Sequence, residues 1–187
     1  MARTPDQPGS DAAPQGNVRC FVGAFLEPGD AERLRAAARR LLGDAGRLLP
    51  AANHHVTLKF LGDVEPRNLA EALDRVARLG AVPLQVSLPA VVGFPAPDRS
   101  RMAVAEVADD GTLAAWHAAL NDAFGSEGRP FRPHVTLMRY RRPRPLARTP
   151  VDPPLLVSLG APRLYRSDRD RAGARYRPVT RADLPAS

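Results

Sequence analysis

The tetrapeptide His-Val-Thr-Leu is written twice in this chain, at His55–Leu58 and at His134–Leu137, 79 residues apart. The two copies hold two of only four histidines. Each lies in a β-branched or aromatic run, His54 to Leu61 and Phe131 to Tyr140, that reads as a strand. Side chains alternate faces along a strand, so His55 and Thr57 share one face while Val56 and Leu58 turn to the other. His134 and Thr136 repeat this against Val135 and Leu137. Any fold of this chain must therefore bury two valine–leucine pairs and present two imidazole–hydroxyl pairs. The repetition predicts two similar lobes, each with one such strand.

The segments around these strands alternate in type. Arg19 to Leu26 reads as a short apolar strand. Pro28-Gly29-Asp30 then offers a turn and, in Asp30, an N-cap for a helix to about Leu42, ended by Gly43. Gly62-Asp63 punctuates the first His-x-Thr strand, and Pro66 begins a second helix in which Leu69, Leu73, Val76 and Leu79 recur at helical spacing. Leu84 to Val92 and Met102 to Val107 read as strands flanking GFPAPDRSR. Thr112 to Phe124 reads as a third helix with Leu113, Trp116, Leu120 and Phe124 on one side. After the second motif, the Pro-rich RRPRPLARTPVDPP reads as an irregular excursion. LLVSLGAPRLYRS and ARYRPVTRADL supply two last strand-like segments.

At 187 residues and 44% hydrophobic content, the chain has material for one domain or two small lobes sharing a core. Residues 1–17 lack the apolar run of a signal peptide and read as a flexible tail, leaving 18–187 as a single bilobal domain. No stretch is long and apolar enough to span a membrane. Cys20 stands alone, which excludes an intramolecular disulfide and a CxxC metal motif and fits a reducing cytoplasm. The net charge of +7 is unevenly spread: Arg129 to Arg181 carries 14 arginines against Asp152, Asp168 and Asp170. That asymmetry points either to a polyanionic partner, RNA before membrane because no basic amphipathic helix accompanies it, or to a merely solvated arginine-rich surface.

If the two motif strands lie near each other, their imidazoles and hydroxyls converge across a groove, an arrangement suited to phosphate-ester chemistry. One histidine removes a proton from the attacking oxygen, the other protonates the leaving oxygen, and the hydroxyls hold the phosphoryl oxygens. Imidazole serves both roles because it titrates near neutrality.

With RCFVGAF, NHHVTLKFLGDV, GFP, RPFRPHVTLMR and LYRS in place, the chain resembles the two-histidine phosphoesterase superfamily, and within it the RNA 2′,3′-cyclic phosphodiesterases once described as RNA 2′-5′ ligases. The resemblance runs from Arg19 to Leu184. It implies an α+β fold, a bilobal pseudo-twofold arrangement of two mainly antiparallel sheets with outer helices and the active-site groove between the lobes. It implies His55 as proton donor to the departing 3′-oxygen, His134 as the base that activates water, and Thr57, Thr136 and Arg139 as phosphate-binding groups. No cofactor and no metal are called for, and the expected protein is a monomer whose partners are RNA ends or nucleotides bearing a 2′,3′-cyclic phosphate. Arg139 is five residues beyond His134, so a regular strand would aim it away from the site, and a bulge or the strand's end must turn it back.

His54 departs from the family pattern and offers two roles, packing or stacking near a bound nucleotide. Arg141, Arg142 and Arg144, in the basic loop after the second motif, are placed to meet neighbouring RNA phosphates. His117, inside the third helix, reads as structural. A metal site built from His54, His55 and His134 is disfavoured because adjacent histidines diverge on a strand and no carboxylate cluster accompanies them. Two other functions remain beside hydrolysis: 2′-5′ ligation at the same site, for which the chain shows no nucleotide-activation motif, and a non-catalytic RNA-binding module, which would not need both imidazoles.

Overall fold

The segment order translates into two copies of one supersecondary unit, strand then helix then motif strand. The computed structural model describes residues 16–126, 128–170 and 173–185, so the predicted tail lies outside the described residues apart from Gly16 and Asn17. In the first unit β1 (Val18–Phe25) leads to α1 (Pro28–Leu42), the short β2 (Arg47–Leu48) and the motif strand β3 (His55–Val64). Helix α2 (Leu69–Ala77) and β4 (Leu84–Phe94) follow. In the second unit β5 (Ser100–Glu106) leads through α3 (Thr112–Phe124) to the other motif strand, β6 (His134–Arg144). The chain closes with β7 (Thr149–Leu159), β8 (Arg163–Asp170) and β9 (Gly173–Pro178).

The sheet order is β7-β4-β5-β6-β3-β1-β8-β9, with β2 attached to β6, and the pairings are antiparallel. The motif strands are the two central ones, each flanked by the first strand of its own unit. They join through one register pair, Val56 opposite Val135. The predicted pair of antiparallel sheets is thus two four-stranded halves that meet edge to edge at the motifs.

The core lies where the alternation put it. Val56, Leu58, Val135 and Leu137 are all at most 1% exposed. Against that face pack Ala31, Leu34 and Ala38 of α1, Leu69, Ala72 and Val76 of α2, and Leu113 and Leu120 of α3. Burying a side chain of this size stabilises by roughly 1.5–3 kcal/mol, so the motif valines and leucines anchor the fold while their neighbours stay available. Among the described residues no helix is long and apolar enough to cross a membrane.

Three local expectations change. Helix α1 begins at Pro28, a residue suited to the first helical position, and not after Asp30. The Asp30 carboxylate instead accepts the Ser158 N–H of β7 at 2.6 Å and the Arg33 guanidinium. Gly62-Asp63 does not end β3, which runs on to Val64 with Cys20 opposite Gly62. The Pro-rich excursion is mostly strand: Arg141, Arg142 and Arg144 belong to β6, and β7 starts at Thr149 in spite of Pro150, Pro153 and Pro154. β7 is an edge strand with a register shift against Leu88 to Ala90, and edges and bulges are where a strand tolerates proline.

Candidate active site

The two motif strands share a deformation. In β3 Val22 pairs with Lys59 and Gly23 with Thr57, leaving Leu58 as an extra residue; in β6 Ala103 pairs with Met138 and Val104 with Thr136, leaving Leu137 extra. A bulge therefore falls on the leucine of each His-Val-Thr-Leu. Both strands open with the same run of half-buried and buried positions, in which the leucine and the residue after it are buried together and the next is exposed. This resolves the parity problem of Arg139: the bulge at Leu137 sends Met138 into the core and returns Arg139 to the face of His134 and Thr136. The equivalent position of the first copy is Phe60.

Antiparallel pairing at Val56–Val135 puts His55 opposite Thr136 and Thr57 opposite His134. The two histidines are then diagonal neighbours, roughly 7–8 Å apart at the backbone. Each imidazole is oriented by a carbonyl two residues upstream: His55 Nδ1 donates to the Asn53 oxygen at 2.8 Å and His134 Nδ1 to the Arg132 oxygen at 2.7 Å. With Nδ1–H committed, Nε2 of each ring is the atom left to accept or deliver a proton. His55 Nε2 meets Thr57 Oγ1 at 3.1 Å.

Aromatic rings cover the imidazole faces. Phe25 stacks on His55 at 4.7 Å, with the Tyr176 ring edge-on at 5.0 Å, and Phe94 stacks on His134 at 4.8 Å. Phe94 comes from the GFP segment, and Gly93 before it is required by space: an added Cβ would lie 1.8 Å from Ser100 Oγ and 2.8 Å from the Leu146 oxygen. Burial is the main cause that pushes the His55 pKa down to about 4; the positive fields of His134, His54 and Arg139 add to it and the Asn53 carbonyl opposes it. His134 is also lowered by burial, against the pull of the Arg132 carbonyl.

The site opens into a groove of about 640 Å³ lined by His55, Thr57, His134, Thr136 and Arg139 together. Four further arginines, Arg19, Arg47, Arg129 and Arg132, line it, and no carboxylate does among the described residues. Those four were not singled out from the sequence, although Arg132 shares strand parity with His134 and could have been. Such a groove concentrates anions.

The remaining predicted residues lie elsewhere. His54 is fully buried with Nδ1 donating to the Ala31 oxygen of α1 at 3.2 Å, so it packs, and burial removes it from any direct contact with RNA. Arg141, Arg142 and Arg144 are exposed on the far part of β6 and do not line the groove. His117 closes a polar chain between α3 and β3. Lys59 Nζ donates to Asn121 Oδ1 at 2.7 Å, Asn121 Nδ2 donates to His117 Nε2 at 3.0 Å, and His117 Nδ1 donates to the Leu58 oxygen at 2.7 Å, at the bulge itself. The His117 ring also stacks on Phe131 at 4.3 Å. Among the described residues no three His, Cys, Asp or Glu side chains gather as a metal site.

A central pair of bulged strands thus presents two oriented imidazoles to a basic groove. The 2′-5′ RNA ligase superfamily matches residues 26–171, and the chain belongs to that family. An RNA 2′,3′-cyclic phosphodiesterase of Archaeoglobus fulgidus is 26% identical over 133 residues, 68% of this chain and 76% of the relative. Another of that name from Geobacillus stearothermophilus is 29% identical over 140 residues, 68% of this chain but 43% of the longer relative. The crystal structure of E. coli LigT complexed with 3′-AMP superposes with a TM-score of 0.66 at 25% identity, covering 88% of this chain and 96% of that one.

Proposed function

We propose that the chain hydrolyses the 2′,3′-cyclic phosphate at RNA or nucleotide ends to a 2′-phosphate. His134 Nε2 takes a proton from water as its oxygen attacks phosphorus. The P–O3′ bond breaks, and His55 Nε2 delivers a proton to the departing 3′-oxygen. Thr57, Thr136 and Arg139 hold the non-bridging oxygens, whose charge grows in the transition state. The observation that carries this reading is the pair of diagonal imidazoles, each with Nε2 free of its orienting carbonyl, in a groove with five arginines and no carboxylate among the described residues. The names of the A. fulgidus and G. stearothermophilus relatives support the substrate class.

With its pKa lowered to about 4, His55 in the free protein holds little imidazolium at neutral pH, so the substrate phosphate completes the acid: its negative charge favours the protonated ring. The reaction runs without a metal ion. Incubation with EDTA and a short RNA ending in a 2′,3′-cyclic phosphate should yield the 2′-phosphate isomer. Loss of hydrolysis on chelation, restored by a divalent ion, would overturn the mechanism. Adding an RNA with a 5′-hydroxyl to the same assay reads 2′-5′ ligation.

A further inference from the structure

Beyond Phe60 the groove continues. A second cavity of about 400 Å³ shares Lys59 and Phe60 with the first and runs on between the C-terminal end of α3 and the start of α2. Phe60 is 53% exposed, and it stands where the internal repeat puts Arg139 in the other half, turned to the groove by the bulge at Leu58. The shared wall between the cavities is therefore an aromatic ring, the kind of surface on which nucleobases stack without sequence preference.

The chemistry of the second cavity differs from that of the first. Leu61, Val64 and Phe124 give it apolar walls, and Asn68 and Ser126 supply neutral polar groups. Arg75 lies with its guanidinium 5.4 Å from the Phe124 ring and is paired with Glu71 at 2.6 Å, so its charge is compensated. Such a lining suits a base and sugar better than a phosphate, and the volume falls within the range of small-ligand sites.

We infer that the second cavity binds the nucleotide immediately 5′ of the one bearing the cyclic phosphate, with Phe60 as the partition between the two. This rests on the phosphodiesterase reading, and it makes a dinucleotide the smallest fully recognised substrate.

The test compares adenosine 2′,3′-cyclic phosphate with ApA ending in the same group. For the unmodified protein kcat/KM should be about tenfold higher for the dinucleotide, through KM. Asn68→Trp and Ser126→Trp each put a large ring at the cavity wall. Both should remove the dinucleotide's advantage and leave the mononucleotide rate unchanged. Equal rates for the two substrates in the unmodified protein, or an advantage that survives in both folded tryptophan variants, would overturn the inference. Should neither substrate be hydrolysed, the phosphodiesterase reading fails, and calorimetric titration with the 2′-phosphorylated mononucleotide and dinucleotide reads the cavity alone. Tighter dinucleotide binding that both tryptophan variants abolish upholds the inference, and no preference overturns it.

Discussion

The two motif strands begin with the same four residues and the same bulge, then part: Lys59-Phe60 follows in β3 and Met138-Arg139 in β6. The first member of each pair is buried and the second faces the groove. In the second half the buried position is apolar and the exposed one a cation. In the first half the order of chemistry reverses, with a buried ammonium held by Asn121 and the Gly125 carbonyl at the end of α3, and an exposed aromatic ring. One backbone device thus carries two specialisations, a cationic side and an aromatic side. The repeat keeps its geometry across the His-Val-Thr-Leu positions and diverges one step beyond them.

The histidines are where the halves should be most alike. His55→Ala and His134→Ala are each expected to lower turnover by about 10²- to 10⁴-fold with the fold intact, since each removes one proton-transfer partner. The double variant should be little worse than either, because the two act as a unit. Near-normal hydrolysis by either folded single variant would end the symmetry of roles.

Arg139 and Phe60 should be unlike. On the proposed mechanism Arg139→Gln removes a charged hydrogen bond to the phosphate, and it should cost about 10- to 100-fold in kcat/KM for a mononucleotide and a longer RNA equally. A deficit confined to the longer RNA would move Arg139 from the reacting phosphate to the strand beyond it.

Lys59→Met copies the second half into the first. It leaves the Asn121 oxygen and the Gly125 carbonyl without their donor and should destabilise the protein by about 1–3 kcal/mol, read from urea unfolding. An unchanged unfolding midpoint would mean that the buried ammonium contributes nothing beyond the methionine of its counterpart.

The pH profile sharpens the comparison further. The proposed mechanism needs one histidine neutral while the other is protonated, so kcat/KM should be bell-shaped, with its maximum between the two apparent pKa values of the free protein. The neutrality of free imidazole does not carry over: burial lowers both, His55 to about 4, so the maximum should lie on the acid side of neutrality. Below that window both rings are protonated and the base is lost; above it both are neutral and the acid is lost. Bound phosphate raises both, so the kcat profile should sit at higher pH than that of kcat/KM. A kcat/KM maximum well above pH 7 would contradict the burial of these rings.

The smallest effect is expected from Arg141, Arg142 and Arg144, which lie outside the groove. If they meet RNA phosphates, changing all three to glutamine flattens the log–log salt dependence of RNA binding by roughly 0.7 per lost contact and leaves a mononucleotide unaffected. An unchanged slope leaves them as a solvated strand end.

Local pattern carried a large part of this protein into the sequence. Helix α3 appears with the bounds its apolar spacing predicts, and Val56, Leu58, Val135 and Leu137 are buried as alternation requires. His55 and His134 were legible because their motif recurs and because alternation separates them from their core-facing neighbours. Periodicity sums over neighbours in the chain, and these features depend on little else. What only the tertiary structure decided depends on partners distant in sequence. The bulges at Leu58 and Leu137 exist as mismatches against β1 and β5, and no feature of either tetrapeptide announces them. β7 keeps its prolines because it stands at the edge of the sheet with the prolines in its N-terminal half, away from the bridge between Leu26 and Leu159, a property of sheet order. Phe94 reaches His134 from another strand, and the Lys59–Asn121–His117 chain ties a helix to a bulge more than 50 residues away in sequence. Long-range pairing sets these contacts, and it sets the pKa values too, because desolvation is a property of everything that surrounds a ring and not of the residues beside it in the chain.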